Sequence, residues 1–284
     1  MPAIFGPAGN SDSYTQTVSK SSVNAPEWIR KNGLEAYEYQ CGNGVRISEE
    51  TAKRIGKEAE KHKIVMSLHS PYYISLANLS NSDKNIGYIL SSCRAARWLG
   101  ATRIVVHSGA VAGRERVDAI RDAAIMLKLM LDAIEQEGYG EISLCPETMG
   151  KINQLGNLDE VLQLCKTDER LIPCIDFGHL YARTLGEMEG YEKMLELFNT
   201  MENAIGVERA SRFHSHFSHI EYSKGGEKRH LRFNDLLFGP DFRPVARIVA
   251  ERNYSPVFIC ESAGTQAEDA LEMKRIYNEE LFRL

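Results

Sequence analysis

Eight short apolar runs recur along the chain, and most close on a residue able to hold a cation. They cover residues 4–6, 34–37, 64–69, 104–107, 142–147, 171–176, 213–220 and 257–261. Their length and β-branched content suit buried strands. Helix-like segments lie between them. Ile120, Ala123, Leu127, Met130, Leu131 and Ile134 follow the helical period of a one-sided apolar stripe. Asn157 with Glu160, and Thr265 with Glu268, read as capping boxes, and Gly100 and Gly138 as left-handed helix stops. Strands alternating with helices imply a parallel sheet, because parallel neighbours need a crossover. Eight such units favour a closed (β/α)₈ barrel, a TIM barrel, as a single domain over residues 1–284. Gly42-Asn43-Gly44 is too short for a dinucleotide-binding fingerprint.

At 26% charged and 43% hydrophobic residues, the chain has the balance of an ordinary soluble barrel. A net charge of −5 gives no bulk attraction for a polyanion, so nucleic-acid binding would need a local basic surface or bound cations. The six cysteines include no C-x-x-C pair, and the opening residues show no charged stretch followed by an apolar run. No stretch approaches the apolar length of a membrane span. A cytoplasmic protein with reduced thiols is expected.

In such a barrel, chemistry sits where strands end and loops begin. His69, His107, Glu147, Asp176, His179, His216 and Glu261 occupy those places on six successive strand runs. Imidazoles and carboxylates are donors that zinc and similar ions take. One such residue is commonplace; a consecutive series converging on one axis points to a metal centre. Asp176-Phe177-Gly178-His179 is the most specific local signal, and Glu147 and Glu261 each have two oxygens with which to bridge cations. In Phe213-His214-Ser215-His216-Phe217-Ser218-His219, alternation puts His214 and His216 on one face and His219 on the other. His216 is the favoured ligand, His219 the alternative, and His214 lies lower in the barrel. Glu227 and His230, in a glycine-containing loop, are candidates for a third ion. Cys145 and Cys174, each two residues before a proposed ligand, read as packing beneath it, and His62 as a helix-surface residue.

The residues around these ligands resemble the endonuclease IV family of apurinic/apyrimidinic endonucleases, within the xylose isomerase-like TIM barrel superfamily. The likeness is carried by Leu68-His69-Ser70-Pro71-Tyr72-Tyr73, Val106-His107-Ser108-Gly109, Pro146-Glu147-Thr148, Ile175-Asp176-Phe177-Gly178-His179 and Cys260-Glu261-Ser262, in order from about residue 60 to 265. It implies a monomeric, zinc-dependent phosphodiesterase with up to three ions, manganese being the alternative metal. A metal-activated hydroxide would cut damaged double-stranded DNA 5′ to abasic sites. Glu147 and Glu261 would be catalytic, and His69, His107, Glu147, Asp176, His179, His216, Glu227, His230 and Glu261 would be ligands. Tyr72, Tyr73 and Arg46 would contact DNA. The chain departs from the family at its first strand, which has no histidine, and in the second-strand loop, where Arg46 is displaced. It departs again at Lys228-Arg229-His230, where Glu227 stands in for an aspartate. A metal-dependent sugar isomerase or epimerase is the alternative reading.

Overall fold

The computed structural model describes residues 2–111 and 113–284. Eight parallel strands form one sheet: β1 (Ile4–Pro7), β2 (Ala36–Gln40), β3 (Val65–His69), β4 (Arg103–His107), β5 (Ser143–Glu147), β6 (Cys174–Asp176), β7 (His214–Phe217) and β10 (Val257–Cys260). Two more, β8 (Ile220–Ser223) and β9 (Gly226–His230), make an antiparallel hairpin outside it. The sheet order runs from β1 through β10, β7, β6, β5, β4 and β3 to β2. A bridge between Ala8 and Glu38 joins its two ends, with hydrogen bonds from Glu35 N to Phe5 O (3.0 Å) and Gly9 N to Glu38 O (2.9 Å). The predicted barrel is therefore present, with every apolar run contributing a strand.

Boundaries differ from the sequence reading in two instructive places. The second strand begins at Ala36 and runs on to Gln40, so Glu38 faces the barrel axis rather than a loop. The run over residues 213–220 divides, because the chain leaves the barrel after Phe217 and starts the hairpin at Ile220.

Alternation along each strand separates two environments. Outward side chains pack under the helices: Phe5 stacks on Phe258 at 5.3 Å, and both meet the Phe242 ring. Helices α1 (Asp12–Thr17), α2 (Ala25–Lys31), α3 (Glu49–His62) and α4 (Ser82–Leu99) come first along the chain; the helical stripe holds on α5 (Arg116–Gln136), which buries Ala123, Leu127, Met130, Leu131 and Ile134, with Ile120 half-buried. The Asn157–Glu160 box caps α6 (Leu158–Cys165) reciprocally. The Thr265–Glu268 box does not form: Thr265 turns its hydroxyl to Asp269, and Ser11 Oγ accepts from Ala267 N instead. Low in the barrel the inward side chains are apolar, where Ile4, Val257 and Ile259 gather, and Val105 packs with Cys145 and Cys174 higher on the other side. Above them the axis is polar. No helix among the described residues is long and apolar enough to cross a membrane.

The seam between β1 and β2 depends on Gly6, where an added Cβ would sit 1.8 Å from the Ala36 carbonyl oxygen. Backbone cannot yield by that much without reopening the barrel. Gly6→Ala is expected to destabilise the protein by about 3 kcal/mol or more, read as a lowered midpoint in urea unfolding.

Candidate metal centre

Strand ends deliver the ligand candidates to one cavity of about 600 Å³, lined by His69, His107, Glu147, His179, Glu227, His230 and Glu261 among others. Three groups of donors face it: His69, His107 and Glu147; then Glu147, Asp176, His216 and Glu261; then His179, Glu227 and His230. Glu147 belongs to the first two. It is 1% exposed at the end of β5, with Oε1 2.9 Å from His216 Nδ1 and Oε2 3.1 Å from His107 Nε2 and 3.5 Å from His69 Nε2.

Local structure fixes which atom of each residue looks into the cavity. Asp176 ends β6 and caps α7 (Phe177–Arg183), its Oδ1 accepting from His179 N at 2.7 Å. Its Oδ2 is buried without a hydrogen-bond partner, as is Glu147 Oε2. Gly178 lets that first turn approach the Ser218 carbonyl, since a Cβ there would lie 2.5 Å from its oxygen. Three of the imidazoles follow one rule: one ring nitrogen has a fixed partner, the other faces the donors. Nδ1 of His69 meets the Ser70 carbonyl at 2.7 Å, Nδ1 of His179 the Thr148 carbonyl at 2.8 Å, and Nδ1 of His230 the Ser218 hydroxyl at 2.8 Å.

Separations within the groups test whether cations fit. Donors about 2.0–2.1 Å from a tetrahedral zinc lie roughly 3.4 Å from one another. The pairs measure 3.1 Å (His107–Glu147), 3.5 Å (His69–Glu147), 3.5 Å (His179–Glu227) and 3.6 Å (His216–Glu261). Most are too long for good hydrogen bonds but suit a shared ion. The two carboxylate oxygens that make no hydrogen bond supply the second observation: each has imidazole nitrogens at 3.1–3.5 Å, a spacing that a shared cation would bridge. The residues fit a cluster of divalent ions.

Glu227 reaches this cluster because the hairpin packs backbone to backbone on the loop after β5. A Cβ on Gly226 would lie 2.2 Å from the Gly150 carbonyl oxygen, and one on Gly150 would lie 2.6 Å from Glu227 Cβ. His219 turns the other way, stacked on Phe233 at 4.9 Å with Nδ1 on the Asp235 carbonyl, so of the two alternatives it is His216 that faces the donors. Tyr72 forms a wall, its ring stacked on His107 at 5.2 Å. Tyr73 packs on Tyr88, and Arg46 lines an adjoining groove beside Tyr72. The basic residues of the hairpin are largely paired: Lys228 and Arg229 both meet Glu221, and Arg232 meets the Ala263 carbonyl.

Sequence reasoning passed over Glu38, which is fully buried beneath His216. A charged residue two positions after the inward Ala36 was the available signal. Lys151, Gln154 and Gln266 also line the cavity without having been singled out. The cysteines are all free and buried, and Cys145 packs with Val105 and Cys174 as expected. Cys174 also lies close to His214 and His216.

Electrostatics reflect the crowding. Burial opposes charge on His179, but Asp176, Glu227, Glu147 and Glu261 raise its pKa to about 9. Burial raises Asp176, and Glu261 and Glu147 add to that, despite His179. Glu147 is held well below the usual carboxylate range, the imidazoles of His216 and His107 outweighing its burial. Burial lowers His107.

A model of the xylose isomerase-like TIM barrel family matches residues 26–279. An uncharacterized protein of Methanocaldococcus jannaschii is 34% identical over 278 residues, covering 97% of each chain. Among solved structures, a D-tagatose 3-epimerase-like protein superposes with a TM-score of 0.73 at 19% identity, over 98% of this chain and 99% of its own. Endonuclease IV from Thermus thermophilus superposes with 0.68 at 16% identity, over 99% of this chain and 100% of its own. Both show the fold.

A proton and a cation compete for His179, and a pKa raised to about 9 means the proton holds the ring below that pH. Affinity for divalent ions is therefore expected to fall as pH drops through about 9. Calorimetric titration with zinc at pH 7, in buffers of different ionisation enthalpy, is expected to show proton release. Heats independent of the buffer would contradict it.

Proposed function

The chain belongs to the xylose isomerase-like TIM barrel family, and we propose that within it this protein is a zinc-dependent phosphodiesterase hydrolysing DNA 5′ to abasic sites. The observation that carries this reading is the number and sharing of donor groups around one cavity. Proton transfer on a small sugar needs one ion, for which Glu147, Asp176, His216 and Glu261 suffice. His69 and His107 on one side, and His179, Glu227 and His230 on the other, add donors such a reaction does not use. Phosphodiester hydrolysis uses them, because the attacking oxygen, the phosphate and the leaving oxygen each carry or develop negative charge. When bound, zinc ions supply the Lewis-acid charge that activates water and steadies the phosphate and the departing 3′ oxygen.

The protein's own groups do the rest. Glu147 is the common support, its two oxygens serving two donor groups and its burial keeping it fixed. Glu261 is less buried, 15% exposed at the cavity edge; there it would be a further shared ligand, while Glu147 helps to orient the attacking water. Tyr72, half exposed with its ring stacked on His107, can wedge together with Tyr73 into a duplex stack that lacks one base. Tyr73, half exposed, and Arg46 in the adjoining groove extend that contact to the flanking duplex. Lys151 adds positive charge at the rim. The reading takes the protein as a monomer bound to damaged double-stranded DNA.

A second reading rests on the central group. Three carboxylates and one imidazole suit a hard ion such as manganese or magnesium, as a sugar epimerase or isomerase would use, and a D-tagatose 3-epimerase-like protein shares the fold. Metal analysis of the purified protein separates the two. The phosphodiesterase predicts zinc at one ion per donor group, three per chain; the epimerase predicts a single manganese or magnesium.

A duplex with one abasic site, incubated with zinc-loaded protein, is expected to be nicked 5′ to the lesion. Glu261→Gln is expected to slow this by more than about a hundredfold, beyond the loss typical of outer partners of a metal site. An intact duplex after incubation with zinc-replete wild type removes the assignment.

A further inference from the structure

Beneath the cavity lies a charged residue that neither the reaction nor the ligand set calls for. Glu38 projects from β2 toward the barrel axis and is fully buried. Its four contacts saturate both carboxylate oxygens. Oε1 lies 2.9 Å from His216 Nε2 and accepts from Gln40 Nε2 at 3.1 Å. Oε2 lies 2.9 Å from His214 Nε2 and accepts from the Ser67 hydroxyl at 2.9 Å. No lysine or arginine is among these partners.

A carboxylate in such a place is costly on stability grounds alone, since apolar side chains of similar volume usually fill a barrel core at least as well. What it does here follows from the chemistry of imidazole. A neutral ring has one N–H and one lone pair, and the partner of one nitrogen decides the role of the other. On His216 the two nitrogens face opposite directions: Nε2 down to Glu38, Nδ1 up to Glu147 Oε1 at 2.9 Å and Glu261 Oε2 at 3.6 Å. Glu38 can only accept, so it keeps the proton on Nε2. Nδ1, facing the central donors, is then the nitrogen a cation can take, giving up the proton it shares with Glu147 Oε1. Ser67 and Gln40 hold the carboxylate itself against rotation.

We propose that Glu38 is a positioning residue of the metal centre, locking His216 as the Nε2–H tautomer and strengthening, through the ring, the grip of Nδ1 on a cation in the central group. This rests on the reading of His216 as a ligand. A cation arriving at Nδ1 displaces the proton there to solvent, while the Nε2 proton stays on its hydrogen bond to Glu38. The arrangement is a carboxylate–imidazole–cation series, in which the outer carboxylate raises the basicity of the inner ligand.

The test uses zinc itself and does not depend on turnover. Glu38→Gln keeps the shape and one accepting oxygen, but removes the charge and puts an NH2 donor in place of the other oxygen. Competition with a chromophoric chelator is expected to show zinc held about 10–100-fold more weakly at one site, with unchanged circular dichroism. A long-range ¹H–¹⁵N correlation spectrum of histidine-labelled, zinc-loaded wild type needs no variant, and is expected to show His216 protonated at Nε2 and zinc-shifted at Nδ1. A proton at Nδ1, or wild-type zinc affinity in folded Glu38→Gln, overturns the role of Glu38. His216→Ala separates the two layers of argument: full zinc content in that variant defeats the ligand reading, whereas loss of one ion there, with wild-type affinity in Glu38→Gln, defeats only the inference.

Discussion

Glu147 is the constraint around which the upper barrel is organised. This carboxylate is 1% exposed at the axis, and among the described residues its ion-pair partners are the rings of His69, His107, His179 and His216 rather than any arginine or lysine. An ionised carboxylate in such surroundings is costly unless positive charge lies within a few ångströms. Imidazoles answer part of that demand through hydrogen bonds and partial protonation. Divalent ions answer it more fully, because each brings two charges and takes oxygen and nitrogen together. Oε2, set between His69 and His107 without a hydrogen bond, marks where a cation would add to what those rings supply. Each neighbouring strand end is then constrained to offer a donor.

Much of this was legible in the sequence because the barrel converts position along a strand into position along an axis. Residues as far apart as His69 and Glu261 share a cavity since each stands at the carboxyl end of its strand. The same rule found His216, with alternation sending His219 to the opposite side, onto Phe233. Glu38 escaped because the apolar run on β2 stops at Tyr37, so the strand seemed to end before it. Hydrophobicity marks a buried strand only while its inward side chains are apolar, and here they become polar midway. The Thr265–Glu268 cap failed for a different reason. A hydroxyl from the distant Ser11 took its place, and a contact of that kind leaves no local trace.

Fold and chemistry separate clearly in this molecule. An epimerase-like protein and an endonuclease IV superpose on it with TM-scores of 0.73 and 0.68, a difference too small to choose between reactions. Barrels of one architecture host many chemistries, and the strand-end residues decide among them. The central four-residue group is compatible with either neighbour's chemistry. The flanking groups supply donors beyond those four. They depend on His69 and His107 at the ends of β3 and β4, and on Glu227 with His230 on a hairpin that the barrel itself does not require.

That hairpin shows how such an addition becomes rigid enough to serve a metal. Glu227 is on β9, away from the barrel sheet, yet it stands 3.5 Å from His179 on α7. Gly226 and Gly150 allow the two backbones to touch, and the hydrogen bond from Glu227 N to Gly150 O, 3.1 Å, locks their register. The loop carrying Gly150 is itself clamped from below, where the Arg183 guanidinium donates to the carbonyls of Met149 and Lys151 and that of Arg116 to the Gln154 carbonyl. Arginine forks on carbonyls hold a loop that has no room for bulky packing. The third donor group therefore inherits its geometry from α7 and α5 through this loop. Its placement beside the other two is set by the same framework that closes the barrel.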